Sequence, residues 1–107
     1  MKQTINNVYQ FREAFREVRP DNFSYEGLAT LWEYFDEYEE STGEEVELDV
    51  IAICCDFSED FAEEVATYYT IEQGEHDSIE EAVKVWLEDE GALLGFGDNG
   101  SIVYRSI

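Results

Sequence analysis

The sequence predicts an α+β fold: a small single domain in which about four helices pack on a small, mainly antiparallel sheet. Apolar residues recur at helical spacing in several segments, and the segment 46–54 has the apolar pattern of a strand. A turn signal divides residues 92–106 into two further strands, which predicts a C-terminal hairpin. Because 107 residues suffice for one core, we expect residues 1–107 to form a single acidic domain.

The first predicted helix covers residues 7–18. Asn7 is suited to cap its start, since a side-chain oxygen at this position accepts a backbone amide of the first turn. Pro20 separates this helix from the next helical pattern. Arg12 and Arg16 are predicted to lie on the exposed side. The side that we expect to be buried carries four apolar residues: Val8, Phe11, Phe15 and Val18.

The second predicted helix covers residues 25–40, with Ser24 as its N-cap and Gly43 at its end. One side of this helix is apolar and is expected to be buried: Leu28, Leu31, Trp32, Phe35 and Tyr38. The opposite side is a continuous carboxylate face: Glu26, Glu33, Asp36, Glu37 and Glu40. At about 1.5 Å of rise per residue, this face extends about 21 Å along the helix.

The segment that follows is predicted to be a strand near residues 46–54. Residues 45–50 alternate between acidic and apolar, whereas residues 50–55 are apolar on both faces, as in a central strand. Helical periodicity also fits this run, so that alternative stays open. Cys54 and Cys55 are adjacent, a spacing that rarely forms a disulfide, and we interpret them as reduced thiols on a buried strand.

A short third helix is predicted to open at Ser58. Its inward residues are expected to be Phe61, Val65, Tyr68 and Tyr69, with Asp60, Glu63 and Glu64 outward. The fourth helix is predicted from about residue 77, with a capping box formed by Asp77 and Glu80 or by Ser78 and Glu81. Gly91 is expected to end it.

The remaining predicted elements are strands at the two ends of the chain. The Asp98-Asn99-Gly100 sequence indicates a turn between the strands of the C-terminal hairpin. Residues 2–5 are a candidate edge strand of the same sheet.

The charge distribution is the most unusual property of this sequence. The formal net charge is −21, and no Lys or Arg lies between Pro20 and Val83, where 21 of the 27 acids are found. Such a surface repels nucleic acid and anionic membranes and attracts basic surfaces. Adaptation to high salt is an alternative, although halophilic proteins are usually acidic over their whole surface. The aromatic content of 15% argues against disorder.

We find no pattern that predicts catalysis. His76 is the single histidine and lies in a polar loop, so no nucleophile–base pair is indicated. The segment 56–64 lacks the alternating ligands and central glycine of an EF-hand loop. Gly95, Gly97 and Gly100 do not lie between a strand and a helix and so form no phosphate loop. We therefore expect no catalytic residues, no cofactor and no metal ligands, and a small hydrolase or metal-dependent enzyme is the weakest hypothesis.

The arrangement of the acids suggests a different role. Carboxylates at helical spacing form a row of anions, and duplex DNA carries one charge per about 1.7 Å of axis. A rigid acidic face can therefore occupy a basic nucleic-acid-binding surface. The predicted partner-binding residues are Glu26, Glu33, Asp36, Glu37, Glu40, Glu44, Glu45, Glu47, Asp49, Asp60, Glu63 and Glu64.

Residues 22–59, "NFSYEGLATLWEYFDEYEESTGEEVELDVIAICCDFSE", resemble the core of small acidic proteins of tailed bacteriophages and prophages. Those proteins share a Phe-Ser-Tyr-Glu-Gly helix start, an acidic turn and a "DVIA-CC-(D/E)-(F/Y)-S-E" pattern, and the family is largely without an assigned function. In charge and size the chain is also similar to phage DNA-mimic proteins that block restriction enzymes or CRISPR effectors. The resemblance implies a phage protein located in the bacterial host cytoplasm.

The leading hypothesis is therefore an inhibitor, with anti-restriction or anti-CRISPR activity, that binds the basic surface of a host nucleic-acid-binding defence protein. We expect no enzymatic activity, no direct binding of nucleic acid and no membrane association. The alternative is a small adaptor or inhibitor that binds protein through the aromatic residues Tyr25, Tyr34 and Tyr68 without mimicking DNA. The sequence does not indicate an oligomeric state.

Overall fold

The computed structural model describes residue 5 and residues 7–106, which form a three-stranded antiparallel sheet with helices on both sides. The helices are α1 (Val8–Val18), α2 (Tyr25–Thr42), α3 (Val50–Asp56), α4 (Ala62–Tyr69) and α5 (Ile79–Asp89). The strands are β1 (Phe57–Asp60), β2 (Leu93–Phe96) and β3 (Ile102–Arg105), in the order β1-β3-β2. The predicted α+β class is confirmed, with five helices in the described residues rather than about four.

The central strand β3 separates two hydrophobic cores. Val103 is buried in a core formed mainly by α1, α2 and α3. Ile102 and Tyr104 are buried in a second core formed mainly by α4 and α5. Because successive side chains of a strand point to opposite faces, the two cores lie on opposite sides of the sheet. We call these the α2 side and the α5 side.

The predicted ends of the first two helices are confirmed. The Asn7 side chain accepts a hydrogen bond from the Gln10 amide, and the Ser24 side chain accepts one from the Gly27 amide. Gly43 ends α2 in the left-handed region at φ 72°, where glycine is not strained. On the apolar side of α2, three residues are buried as predicted: Leu28, Leu31 and Phe35. Trp32 is half-buried and Tyr38 is exposed, so the buried face is narrower than predicted.

The predicted strand near residues 46–54 is wrong. Residues 44–49 carry no regular secondary structure, and α3 begins at Val50. Asp49 caps α3, since its Oδ1 accepts the Ala52 amide at 3.0 Å. A short apolar run fits a helix and a strand equally well, and here the cap favours the helix.

The interpretation of the cysteines as thiols on a buried strand is also wrong. Both lie in α3, where Cys54 is half-buried and Cys55 is exposed. Burial raises the pKa of the Cys54 thiol. Only Ile53 of this helix is buried, because the outer face of α3 is not covered by another described element.

The strand of this region lies further along the chain, where the third helix was predicted to begin. In β1, Phe57 pairs with Arg105 and Asp60 pairs with Ile102. The helix α4 begins after Phe61, whose backbone amide donates to Glu64 Oε1. Val65 is buried and Tyr69 half-buried as predicted, but Phe61 and Tyr68 are exposed. A helix of eight residues buries one narrow face, which leaves these two rings outside it.

The predicted fourth helix and the C-terminal hairpin are confirmed as α5 and the β2–β3 pair. Ser78 caps α5 by accepting the Glu81 amide, and the Glu81 carboxylate accepts the Asp77 amide. Gly91 follows the helix at φ 68°. Of the candidate edge strand at residues 2–5, residues 2–4 lie outside the described residues, and Ile5 lies in no strand.

A β-bulge changes the side to which the residues of β2 point. The pairing with β3 shifts between Leu93 and Gly95. Leu93 packs in the α5-side core, whereas Leu94 and Gly95 both face the α2 side, Gly95 directly against Thr30. Phe96 consequently lies on the α5 side.

Substitution of Gly95 by alanine is expected to reduce the free energy of unfolding by roughly 1–3 kcal/mol, because the new methyl overpacks a filled contact. Its Cβ would lie 2.8 Å from Thr30 Cγ2. Thr30→Ser removes that methyl and keeps the hydroxyl that donates to the Phe96 carbonyl at 2.7 Å. Urea unfolding of both single variants and the double variant measures the effect. Equal costs of Gly95→Ala in the two backgrounds would contradict this contact.

Candidate acidic interaction surface

The predicted carboxylate face of α2 is exposed along the whole helix. All five of its acids are solvent-exposed: Glu26, Glu33, Asp36, Glu37 and Glu40. The last four lie at i, i+3, i+4 and i+7, a spacing at which neighbours on a helix have Cβ atoms about 5–6 Å apart. The opposite side of the helix packs on α1 and the sheet, so the row of anions is held on a rigid element.

The C-terminal end of α2 increases the negative potential further. Its last turn contains no basic residue, although the end of a helix carries a partial negative charge that favours cations. Glu39 in this turn has a structural contact, since its carboxylate accepts the Val46 amide at 2.7 Å. This hydrogen bond holds the segment 44–49 close to the helix end.

The segment 44–49 brings further carboxylates to this end of α2. Glu44, Glu45, Glu47 and Asp49 are all exposed, as predicted. Asp49 also caps α3, so it has a local structural role. Glu44 and Glu45 line the same pocket as side chains of α2. We call the five carboxylates of the exposed face of α2 together with Glu44 and Glu45 the α2 acidic surface: Glu26, Glu33, Asp36, Glu37, Glu40, Glu44 and Glu45.

The pocket at the end of this surface is aromatic, with a volume of about 340 Å³. Its lining residues are Tyr34, Phe35, Tyr38, Glu44, Glu45, Val46 and Phe57. The ring of Tyr34 lies 5.6 Å from that of Phe57 and 5.3 Å from that of Phe35, both edge to face. Aromatic rings beside two carboxylates suit a cationic side chain. The sequence analysis missed this site because it assigned Tyr38 to the buried side of α2; the i, i+4 spacing of Tyr34 and Tyr38 was the available signal.

Three of the predicted partner-binding residues lie elsewhere. Asp60, Glu63 and Glu64 are on the α5 side of the sheet. Asp60 Oδ2 accepts the Tyr104 hydroxyl at 2.7 Å, and Glu64 accepts the Phe61 amide. Burial raises the pKa of Tyr104, and the Asp60 carboxylate raises it further, so the hydroxyl remains a donor. The alternation of β1 side chains explains the separation from α2.

Glu59 is a structural residue that the sequence analysis missed. Its neighbours on β1, Ser58 and Asp60, point to the α5 side, whereas Glu59 points to the α2 side and its carboxylate reaches the start of α2. Oε1 accepts the Ser24 amide at 2.9 Å and Oε2 accepts the Ser101 hydroxyl at 2.5 Å. Gly27 and Gly97 flank this carboxylate, and a Cβ at either position would overlap it. These two glycines were the available signal.

A second carboxylate also holds the start of α2. Asp98 Oδ1 accepts the Glu26 amide at 3.3 Å, while the Asp98 amide donates to Ser24 Oγ at 3.1 Å. The first turn of α2 is thus fixed to the hairpin by charged acceptors, which its positive end favours. The orientation of the α2 acidic surface relative to the sheet follows from these contacts.

Arg12 was predicted to be exposed, and this is wrong. Its side chain is only 8% exposed. It donates to the Tyr25 carbonyl at 3.0 and 3.2 Å, and its guanidinium carbon lies 3.3 Å from the centre of the Tyr25 ring. Tyr25 is one of the aromatic residues through which the alternative adaptor would bind protein. One face of its ring is therefore already occupied by a cation from α1.

Three further observations bear on function. Within residues 5 and 7–106, no group of three or more His, Cys, Asp or Glu side chains is arranged to hold a metal ion. None of the helices described is both long enough and apolar enough to cross a membrane. Comparisons with protein-family models, curated proteins and solved structures found no match.

Proposed function

We propose that this protein is a phage-encoded inhibitor of a bacterial nucleic-acid-binding defence protein, such as a CRISPR effector or a restriction enzyme. It acts in the host cytoplasm as an acidic DNA mimic that occupies a basic nucleic-acid-binding surface. The observation that carries this proposal is the exposed row of carboxylates on α2, in a stretch of chain without Lys or Arg.

The geometry of the row is compatible with a surface that binds nucleic acid. From Glu26 to Glu40 it extends about 21 Å along the helix. Lysine and arginine side chains that contact phosphates along a DNA strand meet a comparable row of anions here, and their binding releases the cations associated with those carboxylates. Since Glu59 and Asp98 fix the start of α2, little backbone conformational entropy is lost when the partner binds.

The aromatic pocket adds a specific contact to this electrostatic attraction. An arginine of the partner that enters it would stack on the ring of Tyr34 or Tyr38 and pair with Glu44 or Glu45. The phosphates of DNA do not offer an arginine such an aromatic ring. It gives a reason why the inhibitor would prefer a protein with an arginine at that position.

The second candidate is a protein-binding adaptor or inhibitor that does not mimic DNA. The exposure of aromatic side chains favours it: Tyr68 is 62% exposed, and Tyr34 and Tyr38 line a pocket. In that case binding would depend on burial of the rings and would persist at high salt. Charge reversal on α2 would then have a small effect.

Charge reversal on α2 is expected to abolish inhibition. In the test variant Glu33, Asp36, Glu37 and Glu40 are replaced by Lys. The control variant replaces four exposed acids of the α5 side, Glu72, Glu88, Asp89 and Glu90, by Lys and therefore has the same net charge. We expect the test variant to lose at least about a hundredfold in affinity because like charges then face each other, and the control to retain most of it.

Two measurements check this result. The first is displacement of labelled duplex DNA from purified restriction enzymes and CRISPR effectors, and the second is plating of a sensitive phage on hosts that carry those systems. Circular dichroism and urea unfolding establish that each variant is folded. If the two variants lose inhibition equally, net charge alone is responsible and the α2 acidic surface is not the binding site.

A further inference from the structure

Two phenylalanines on the α5 side are exposed in one groove. Phe61 is 49% exposed and Phe96 is 47% exposed. Both line a groove of about 730 Å³ between α4, α5 and the turn of the hairpin. The acids that line the same groove are Glu63, Glu64 and Glu80. Large apolar rings exposed together on a surface mark a site of interaction more often than single ones do.

Separate structural features hold each ring outward. Phe61 precedes α4 in extended backbone, where its amide donates to Glu64. Phe96 is brought to this side by the bulge in β2, and its carbonyl accepts the Thr30 hydroxyl. Without the bulge, the alternation of β2 would direct Phe96 to the opposite side of the sheet.

The groove has the chemistry of a cation site. Lys84 of this chain already lies over the ring of Phe96, with Nζ 6.0 Å from its centre. An adjoining groove of about 430 Å³ shares Phe61 and Glu64 and is also acidic. The further acids that line it are Asp21, Glu59, Asp60 and Asp98. An extended cationic segment would thus find ring faces and carboxylates along its whole length.

We propose that this groove binds an extended, arginine-bearing segment of a protein partner. Guanidinium groups stack on Phe61 and Phe96 and form ion pairs with Glu63 and Glu80. Arginine fits better than lysine because its planar, weakly hydrated cation stacks on a ring while its edge binds a carboxylate. The groove is on the other side of the sheet from the α2 acidic surface, so it is a second contact and does not depend on the proposed function.

The test uses the full chain and a short peptide in which arginine alternates with glycine, with a lysine peptide for comparison. Phe61→Leu with Phe96→Leu keeps the apolar character and the charge but removes both ring faces. We expect the arginine peptide to bind this variant about tenfold more weakly in calorimetric titration. The matched control is Tyr68→Leu, which removes an exposed ring of α4 outside the groove and should leave affinity unchanged.

A second variant changes affinity in the opposite direction. Lys84→Met frees the ring of Phe96 and should strengthen peptide binding several-fold. Arg105→Met removes an equal charge from an exposed residue outside the groove and should have a smaller effect. If Lys84→Met and Arg105→Met have equal effects, or if the double Phe variant binds the peptide as the wild type does, the peptide is held by net charge and not by the rings of this groove. Either result would overturn the proposal.

Sedimentation of the free protein provides the remaining outcome. If the wild type forms a dimer that the double Phe variant does not, the groove is covered by a second copy of this chain, and the arginine proposal is wrong. A monomer that binds the arginine peptide supports it. Because the α2 charge-reversal variant is assayed separately, failure here leaves the proposed inhibition unaffected.

Discussion

Replacing Gly27 by alanine is expected to reduce the free energy of unfolding by roughly 2–3 kcal/mol, although alanine is the better helix former. The new Cβ would overlap the Glu59 carboxylate and displace it. The Ser24 amide and the Ser101 hydroxyl would then lose a charged acceptor. A hydrogen bond to a charged group contributes about 1.5–3 kcal/mol.

The sign of this effect should change when the carboxylate is absent. Glu59→Ala alone is expected to be destabilising by about 3 kcal/mol, because both hydrogen bonds are lost. In that background Gly27→Ala no longer displaces a carboxylate, and its helix propensity should make it neutral or stabilising by up to about 1 kcal/mol. Urea unfolding of the four proteins of this double-mutant cycle gives the coupling energy.

Two outcomes distinguish this mechanism from simple steric strain. Gly97→Ala approaches the same carboxylate but also Ser101 Oγ, at 2.6 Å, so its cost should fall only in part when Glu59 is absent. Gly43→Ala serves as the control, since its Cβ would meet no atom within 4 Å and its cost comes only from the positive φ. If Gly27→Ala costs the same with and without Glu59, the carboxylate does not connect α2 to the hairpin.

Salt is expected to weaken the complex and to stabilise the free protein. A complex in which several carboxylates take the place of DNA phosphates should lose affinity steeply as the salt concentration rises. We expect roughly a hundredfold loss of affinity or more between 50 and 200 mM salt. The free chain carries a net charge of −21, so screening of its self-repulsion should raise its stability by on the order of 1 kcal/mol. Titration of affinity and urea unfolding over the same salt range measures both.

The effect of salt on affinity, compared with its effect on the stability of the free protein, distinguishes the two candidate functions. An aromatic interface would keep its affinity over this range, while the free protein would still gain stability. The charge-reversed α2 variant is the control for the stability measurement, because its smaller net negative charge should make the free protein gain less stability from salt. An affinity that is independent of salt would contradict the DNA-mimic mechanism and support the adaptor.

Local signals predicted those elements whose ends are specified by one or two residues. Ser24 and Gly43 set the bounds of α2, because a side-chain cap and a left-handed glycine act within one turn of the chain. The exposed acids of α2 follow from its periodicity alone. The prediction failed between residues 46 and 61, where a short apolar run has no single period and the cap at Asp49 decided for a helix.

The position of the acids could be predicted less completely than their exposure. Asp60 was assigned to the same surface as the α2 carboxylates, but it lies on the other side of the sheet and binds Tyr104. That difference arises from β1, which was predicted as helix, since a strand alternates its side chains between faces. Phe96 is a similar case, because its side depends on a bulge that no local pattern indicated.

The sequence by itself determined that this chain folds into one α+β unit, that α2 exposes a row of carboxylates, and that no basic residue interrupts it. These properties depend on spacing along the chain, which a sequence contains completely. Only the tertiary structure decided that Glu59 holds α2 to the hairpin, that the acids divide between two sides of a sheet, and that Phe61 and Phe96 share a groove. Those contacts join residues far apart in sequence, so they follow from which strands pair and in which register.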